Sequence, residues 1–75
     1  MMFTTGDLVW ITCEGRTVEG EIILASENNV SLALGFEAIL AGHVGKMPVL
    51  LHDDGKYRSL IGNVEVAIRK RESGE

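Results

Sequence analysis

The chain reads as all-β, a small antiparallel barrel of five or six short strands. Three observations carry that reading. Apolar and polar residues alternate along several runs, as they do on strands with one buried and one wet face. Turn-forming segments separate those runs. The length, 75 residues, leaves room for one domain and one core.

In chain order, "DLVWITC" at 7–13 sets Val9, Ile11 and Cys13 inward and leaves Trp10 partly exposed on the other face. "TVEGEIILA" sets Val18, Gly20, Ile22 and Leu24 against Thr17, Glu19 and Glu21. "NVSLAL" sets Val30, Leu32 and Leu34 against Ser31 and Ala33, and "NVEVAIR" sets Val64, Val66 and Ile68 against Glu65, Ala67 and Arg69. "MPVLLH" at 47–52 is apolar on both faces, and Pro48, lacking an amide donor, suits a strand start or an edge. Turns at "EGR" (14–16), "ENN" (27–29), "DDGK" (53–56) and "IGN" (61–63) join successive strands. In "GFEAILAG" the residues Phe36, Ile39 and Leu40 have helical spacing, but Gly35 and Gly42 bracket a segment too short for a stable helix. One helical turn is therefore expected near residues 36–41. Closing the sheet into a barrel removes most of its exposed edge. Residues 1–70 form the single domain, with 71–75 as a flexible tail.

Hydrophobic residues make up 45% of the chain, enough for a globular core. A domain this short has a thin stability margin and calls for a disulfide, a structural metal or self-association. The single cysteine, Cys13, excludes an internal disulfide, and no Cys/His set has zinc-finger spacing. Self-association remains, with a homodimer as its commonest form. The doubly apolar strand indicates where: Met47, Val49 and Leu50, with Ile39 and Leu40, are the expected interface. "MMFTTGD" lacks the basic and apolar regions of a signal peptide. No apolar run approaches the ~20 residues of a membrane span, so the expectation is a cytoplasmic protein that meets no membrane. A net charge of −4 disfavours nucleic acid, whose binding rests on phosphate neutralisation. The charge is uneven: Glu14, Glu19, Glu21, Glu27 and Glu37 face Arg16 alone between residues 14 and 37, whereas Arg69, Lys70 and Arg71 cluster at the C-terminal end.

No constellation decides for catalysis, a cofactor or a metal, so a non-enzymatic binding or interaction module is expected. A small metal-dependent or cysteine enzyme centred on His43 and His52 is the weaker alternative. His43, His52, Asp53 and Asp54 are acceptable metal ligands by type, but Asp53 and Asp54 enter a turn and His43 sits in a separate glycine-flanked segment. Cys13 with His43 or His52 would need an accessible thiolate, and the parity of Cys13 places it in the core. Trp10 is a candidate anchor for a peptide or a small apolar ligand. Trp10, Tyr57 and Arg58 are the candidate ligand-binding residues.

"GDLVWI" at 6–11 resembles the opening strand of bacterial SH3-like barrels. "GRTVEGEI" at 15–22 is similar to the first half of the Sm-like motif, and "LIGNVEVAIRKR" at 60–71 to its second. The Sm-like resemblance implies a ring of subunits that binds single-stranded RNA, with Asn28 or Asn29 in one loop and Arg69, beside Lys70 and Arg71, in the other. The family's Asp-x-x-Met-Asn pattern is absent, Lys70 stands where the family has glycine, and residues 35–57 have no counterpart. "FEAILAGHVGKMPVL" with "DGKYRSL" resembles short uncharacterised bacterial proteins of the kind found on mobile (integron) gene cassettes. That resemblance implies an SH3-like small barrel and no particular activity.

Overall fold

A computed structural model describes residues 2–72 as six antiparallel strands: β1 (Leu8–Cys13), β2 (Arg16–Ala25), β3 (Ser31–Leu40), β4 (His43–Leu51), β5 (Tyr57–Ser59) and β6 (Glu65–Lys70). Each pairs with its neighbour in sequence, and β1 pairs with β6 to close the barrel. The alternation of β1 holds as expected. Val9, Ile11 and Cys13 are buried, and Trp10 faces outward, half-buried. Glu14 and Gly15, both at positive φ, join Cys13 to its partner Arg16, as a two-residue hairpin turn requires. No helix among the described residues is long and apolar enough to cross a membrane.

Two departures from the expected pattern shape the barrel. In β2 the register slips by one residue between Ile22 and Leu24, a β-bulge. It reverses the inside–outside order, so Leu24 is 64% exposed rather than buried while Ala25 packs against the core. The second lies in β3. Residues 36–41 do not make a helical turn: β3 runs on to Leu40, with Phe36 and Leu40 buried and Ala38 packed against the core. The even-numbered inward series that begins at Leu32 simply continues, which leaves Ile39 outward. The segment expected to hold a helical turn is thus the end of a strand and its hairpin. The hairpin turn is Ala41–Gly42, both at positive φ, between the partners Leu40 and His43. Alanine seldom occupies such a position, which is why the turn is silent in the sequence. Among the described residues the one short helical element is a 3-10 turn at Glu27–Asn29.

The core joins Val9, Ile11, Cys13, Ile22, Leu32, Leu34, Phe36, Leu40, Met47, Val49 and Val66, with Phe3 covering one end. Met47 and Val49 are completely enclosed and Leu40 nearly so. This corrects the expected self-association surface, because β4 turns Met47 and Val49 into the barrel. Of the five residues, only Ile39 is exposed and Leu50 half-buried.

Candidate binding groove

The barrel wall is split between β2 and β3. Pairing between β2 and β3 runs from Ala25↔Leu32 to Gly20↔Phe36 and stops there. The cause lies on the other side of β3. Gly35 pairs with Lys46 and Ile39 with Val44, so three residues of β3 stand opposite Gly45 alone. An irregularity of this kind bends its strand, and the end of β3 leaves β2 where the irregularity begins. Residues 16–19 then pair only with β1, and of residues 37–40 only Ile39 and Leu40 are paired, both with β4.

Between the separated strands lies an open groove of about 770 Å³. Val18, Phe36 and Ala38 supply apolar lining; Glu19, Glu21 and Glu37 supply carboxylates; Arg16 and Arg71 supply guanidinium groups. Gly20 and Gly35 line the groove where the two strands come close together. A Cβ on Gly20 would lie 2.6 Å from the Gly35 carbonyl oxygen, and one on Gly35 would lie 2.8 Å from Ile23 Cδ1. Strand geometry fixes which backbone groups border the gap. The amide of Ile22 donates to Asp7 on the β1 side, so in β2 the odd-numbered Thr17 and Glu19 direct their N–H and C=O groups toward the groove. Glu37 and Ile39 do the same from β3. One of these four carbonyls is engaged across the gap: Arg16 Nη1 donates to the Ile39 oxygen at 2.9 Å.

Trp10 and the C-terminal bases lie along the outer wall beside the groove. The Arg71 guanidinium stands 5.2 Å and that of Arg69 6.0 Å from the Trp10 ring centroid, within cation–π range. Arg71 also reaches Glu19 Oε1 at 3.8 Å, and its amide donates to the Leu8 carbonyl. Arg71 is therefore held on the sheet and is not part of a free tail; residues 73–75 of the expected tail lie outside the described residues. Lys70 pairs with Asp7 at 3.5 Å.

The structure does not gather Trp10, Tyr57 and Arg58. Tyr57 packs against the core, meets Phe3 edge-on and donates its hydroxyl to the Asn29 carbonyl at 2.7 Å, and burial pushes its phenol pKa up. Asn29 is buried too. Its side chain accepts from the Phe3 amide and donates to the Phe3 carbonyl, so it is enclosed rather than displayed in a loop. Arg58 is committed to Asp54, donating through Nη1 at 3.2 Å and Nη2 at 2.7 Å.

That pair makes a pH prediction. The Arg58 hydrogen bonds first, then the Lys56 amide, hold the Asp54 carboxyl down at about 2. Titration followed by NMR should return that value in the folded protein, and Arg58→Ala should move it toward the ordinary 3.8. The folded value is the lower one. The pair's contribution to stability is therefore present above pH 3.8 and is lost as pH falls through 3.8 toward 2. An Asp54 titration unmoved by Arg58→Ala would refute this assignment.

The remaining sequence candidates are dispersed. Among the described residues no three His, Cys, Asp or Glu side chains converge as a metal site. His43 Nδ1 lies 3.1 Å from the Ala41 carbonyl, within its own hairpin. Cys13 is buried; burial, and secondarily the charge of Glu14, raise its thiol pKa and keep it protonated. Sequence reasoning singled out neither Glu37 nor Arg16 as a site residue. The available signals were the acidic run from 14 to 37 and the mid-strand Gly20. No protein-family model, no curated protein and no solved structure matches this chain.

Proposed function

We propose that the chain is a non-enzymatic interaction module whose groove between β2 and β3 receives an extended polypeptide segment. One observation carries the reading: two strand edges border an open groove with unpaired backbone groups and an apolar lining. Exposed edges of this kind pair readily with another chain. NMR titration with a short end-capped peptide alternating threonine with valine should shift the amides of residues 17–20 and 36–39. Absence of shifts there at millimolar peptide would refute the reading.

A cytoplasmic setting is part of this proposal, and a chain with one cysteine, buried in the core, does not depend on an oxidising compartment for a disulfide. A homodimer belongs to the same proposal, and the cross-strand pair Ile39–Val44, 60% and 73% exposed at the hairpin end, supports it. Sedimentation equilibrium returning only monomer at high micromolar concentration would remove that part. Binding of single-stranded nucleic acid in the Sm-like manner has less support. Asn29 is enclosed, Lys70 and Arg71 are engaged by Asp7 and Glu19, and the groove carries carboxylates.

A further inference from the structure

Building on the interaction-module reading, we infer that the occupant of the groove is a basic strand, with Lys or Arg at alternate positions and small apolar residues between them, and that Arg16 is the gate it displaces. A strand lying between the edges of β2 and β3 completes the barrel wall as a seventh strand. Its side chains must then alternate between the two faces of that wall. On the inner side they meet Val18, Phe36 and Ala38, the apolar lining left partly uncovered by the split. On the outer side they meet Glu19, Glu21 and Glu37, all exposed. Glu21 and Glu37 make no ion pair among the described residues, and Glu19 has only the 3.8 Å contact with Arg71. Small apolar residues inward and cations outward are what this arrangement accepts; an acidic strand would place like charges side by side.

The gate follows from the same geometry. The Ile39 carbonyl points into the gap and would accept from the incoming strand's amide, yet Arg16 Nη1 already donates to it. Arg16 thus stands in for the missing strand, and its charge repels a basic one. Entry requires the guanidinium to swing out to solvent, where it loses one exposed hydrogen bond and gains hydration.

Fluorescence anisotropy at low salt tests this with a labelled short peptide alternating lysine with valine. Controls are its glutamate–valine counterpart and the lysine peptide N-methylated at alternate amides. The lysine peptide is expected to bind on the order of tenfold tighter than the glutamate peptide, as two or three exposed ion pairs give, and to weaken with added salt. Glu37→Lys, an exposed change that leaves the core intact, should remove most of that preference. Arg16→Ala should tighten binding by roughly two- to tenfold, the worth of one competing hydrogen bond. N-methylation should abolish binding, because it blocks pairing along one edge. Equal affinity for the lysine and glutamate peptides overturns the inference while leaving the interaction module standing. Arg16→Ala binding no tighter than the parent protein overturns the gate. Failure of both peptides and of the neutral threonine–valine peptide overturns inference and module together.

Discussion

Gly20→Ala is expected to lower the thermal midpoint by on the order of 10 °C, as overpacking costs of about 1–3 kcal/mol at roughly 4–8 °C per kcal/mol imply for a domain this small. The added methyl would lie 2.4 Å from Ile11 Cδ1 and 2.6 Å from the Gly35 carbonyl oxygen. Ile11 is fully buried, so its side chain has little room to withdraw. The second obstacle is backbone in the neighbouring strand, and moving it disturbs the β2–β3 ladder at its last pairs, Glu21↔Gly35 and Gly20↔Phe36. Gly35→Ala is the instructive comparison. Its methyl would crowd Ile23 Cδ1 and Cγ1, at 2.8 and 2.9 Å, and meet Glu21 Cγ at an ordinary 3.8 Å. Ile23 is 44% exposed and can rotate away, so the loss there should be clearly smaller. Thermal unfolding followed by circular dichroism decides the matter. Equal midpoints for the Gly20→Ala variant and the parent would show that the close approach is not as described.

Asn29→Ala should remove about 2–3 kcal/mol of folding stability, because buried backbone groups left without partners cost about 1–3 kcal/mol each. The Asn29 side-chain amide bonds both the N–H and the C=O of Phe3, imitating the peptide unit of a neighbouring strand. Its backbone, at φ 55, lies in the left-handed region that asparagine tolerates better than alanine. The chain has one way to limit the damage, which is to let the segment around Phe3 leave the barrel end. That route gives up the burial of Phe3, worth about 1.5–3 kcal/mol, so the two routes cost similar amounts. Asn29→Asp keeps the acceptor for the Phe3 amide and loses the donor, and should fall between alanine and the parent. Urea unfolding measures all three. An alanine variant within about 0.5 kcal/mol of the parent, the usual range of an inconsequential surface change, would refute the role assigned to this side chain.

Much of the barrel is visible in local pattern. Val9, Ile11 and Cys13 point inward because residues two apart share a face, and that holds wherever register is unbroken. The pattern misleads where the register slips. Leu24 carries the parity of a core residue, yet the bulge before it turns it out to solvent. Phe36, Ile39 and Leu40 imitate helical spacing because Ile39 happens to be an apolar residue on the outer face. The apolar character of the 47–51 segment was legible, but its significance was misplaced. In so small a barrel Met47 and Val49 are needed inside, while Pro48 and Leu50 on the other face are only half-buried. The groove was not legible because it depends on a mismatch between two strand pairings, a relation no single stretch records. Asn29 shows the same limit. As a turn residue it is read from its backbone, whereas its side chain acts on Phe3, far away in sequence.

The placement of Arg71 has a practical consequence. It lines the groove, reaches Glu19 on the rim and covers the face of Trp10, the only indole in the chain. Any guest that competes for Glu19 or pushes Arg71 aside changes the electrostatic environment of that indole. The protein therefore carries its own optical gauge, and occupancy of the groove becomes legible as a change in tryptophan emission with no label attached.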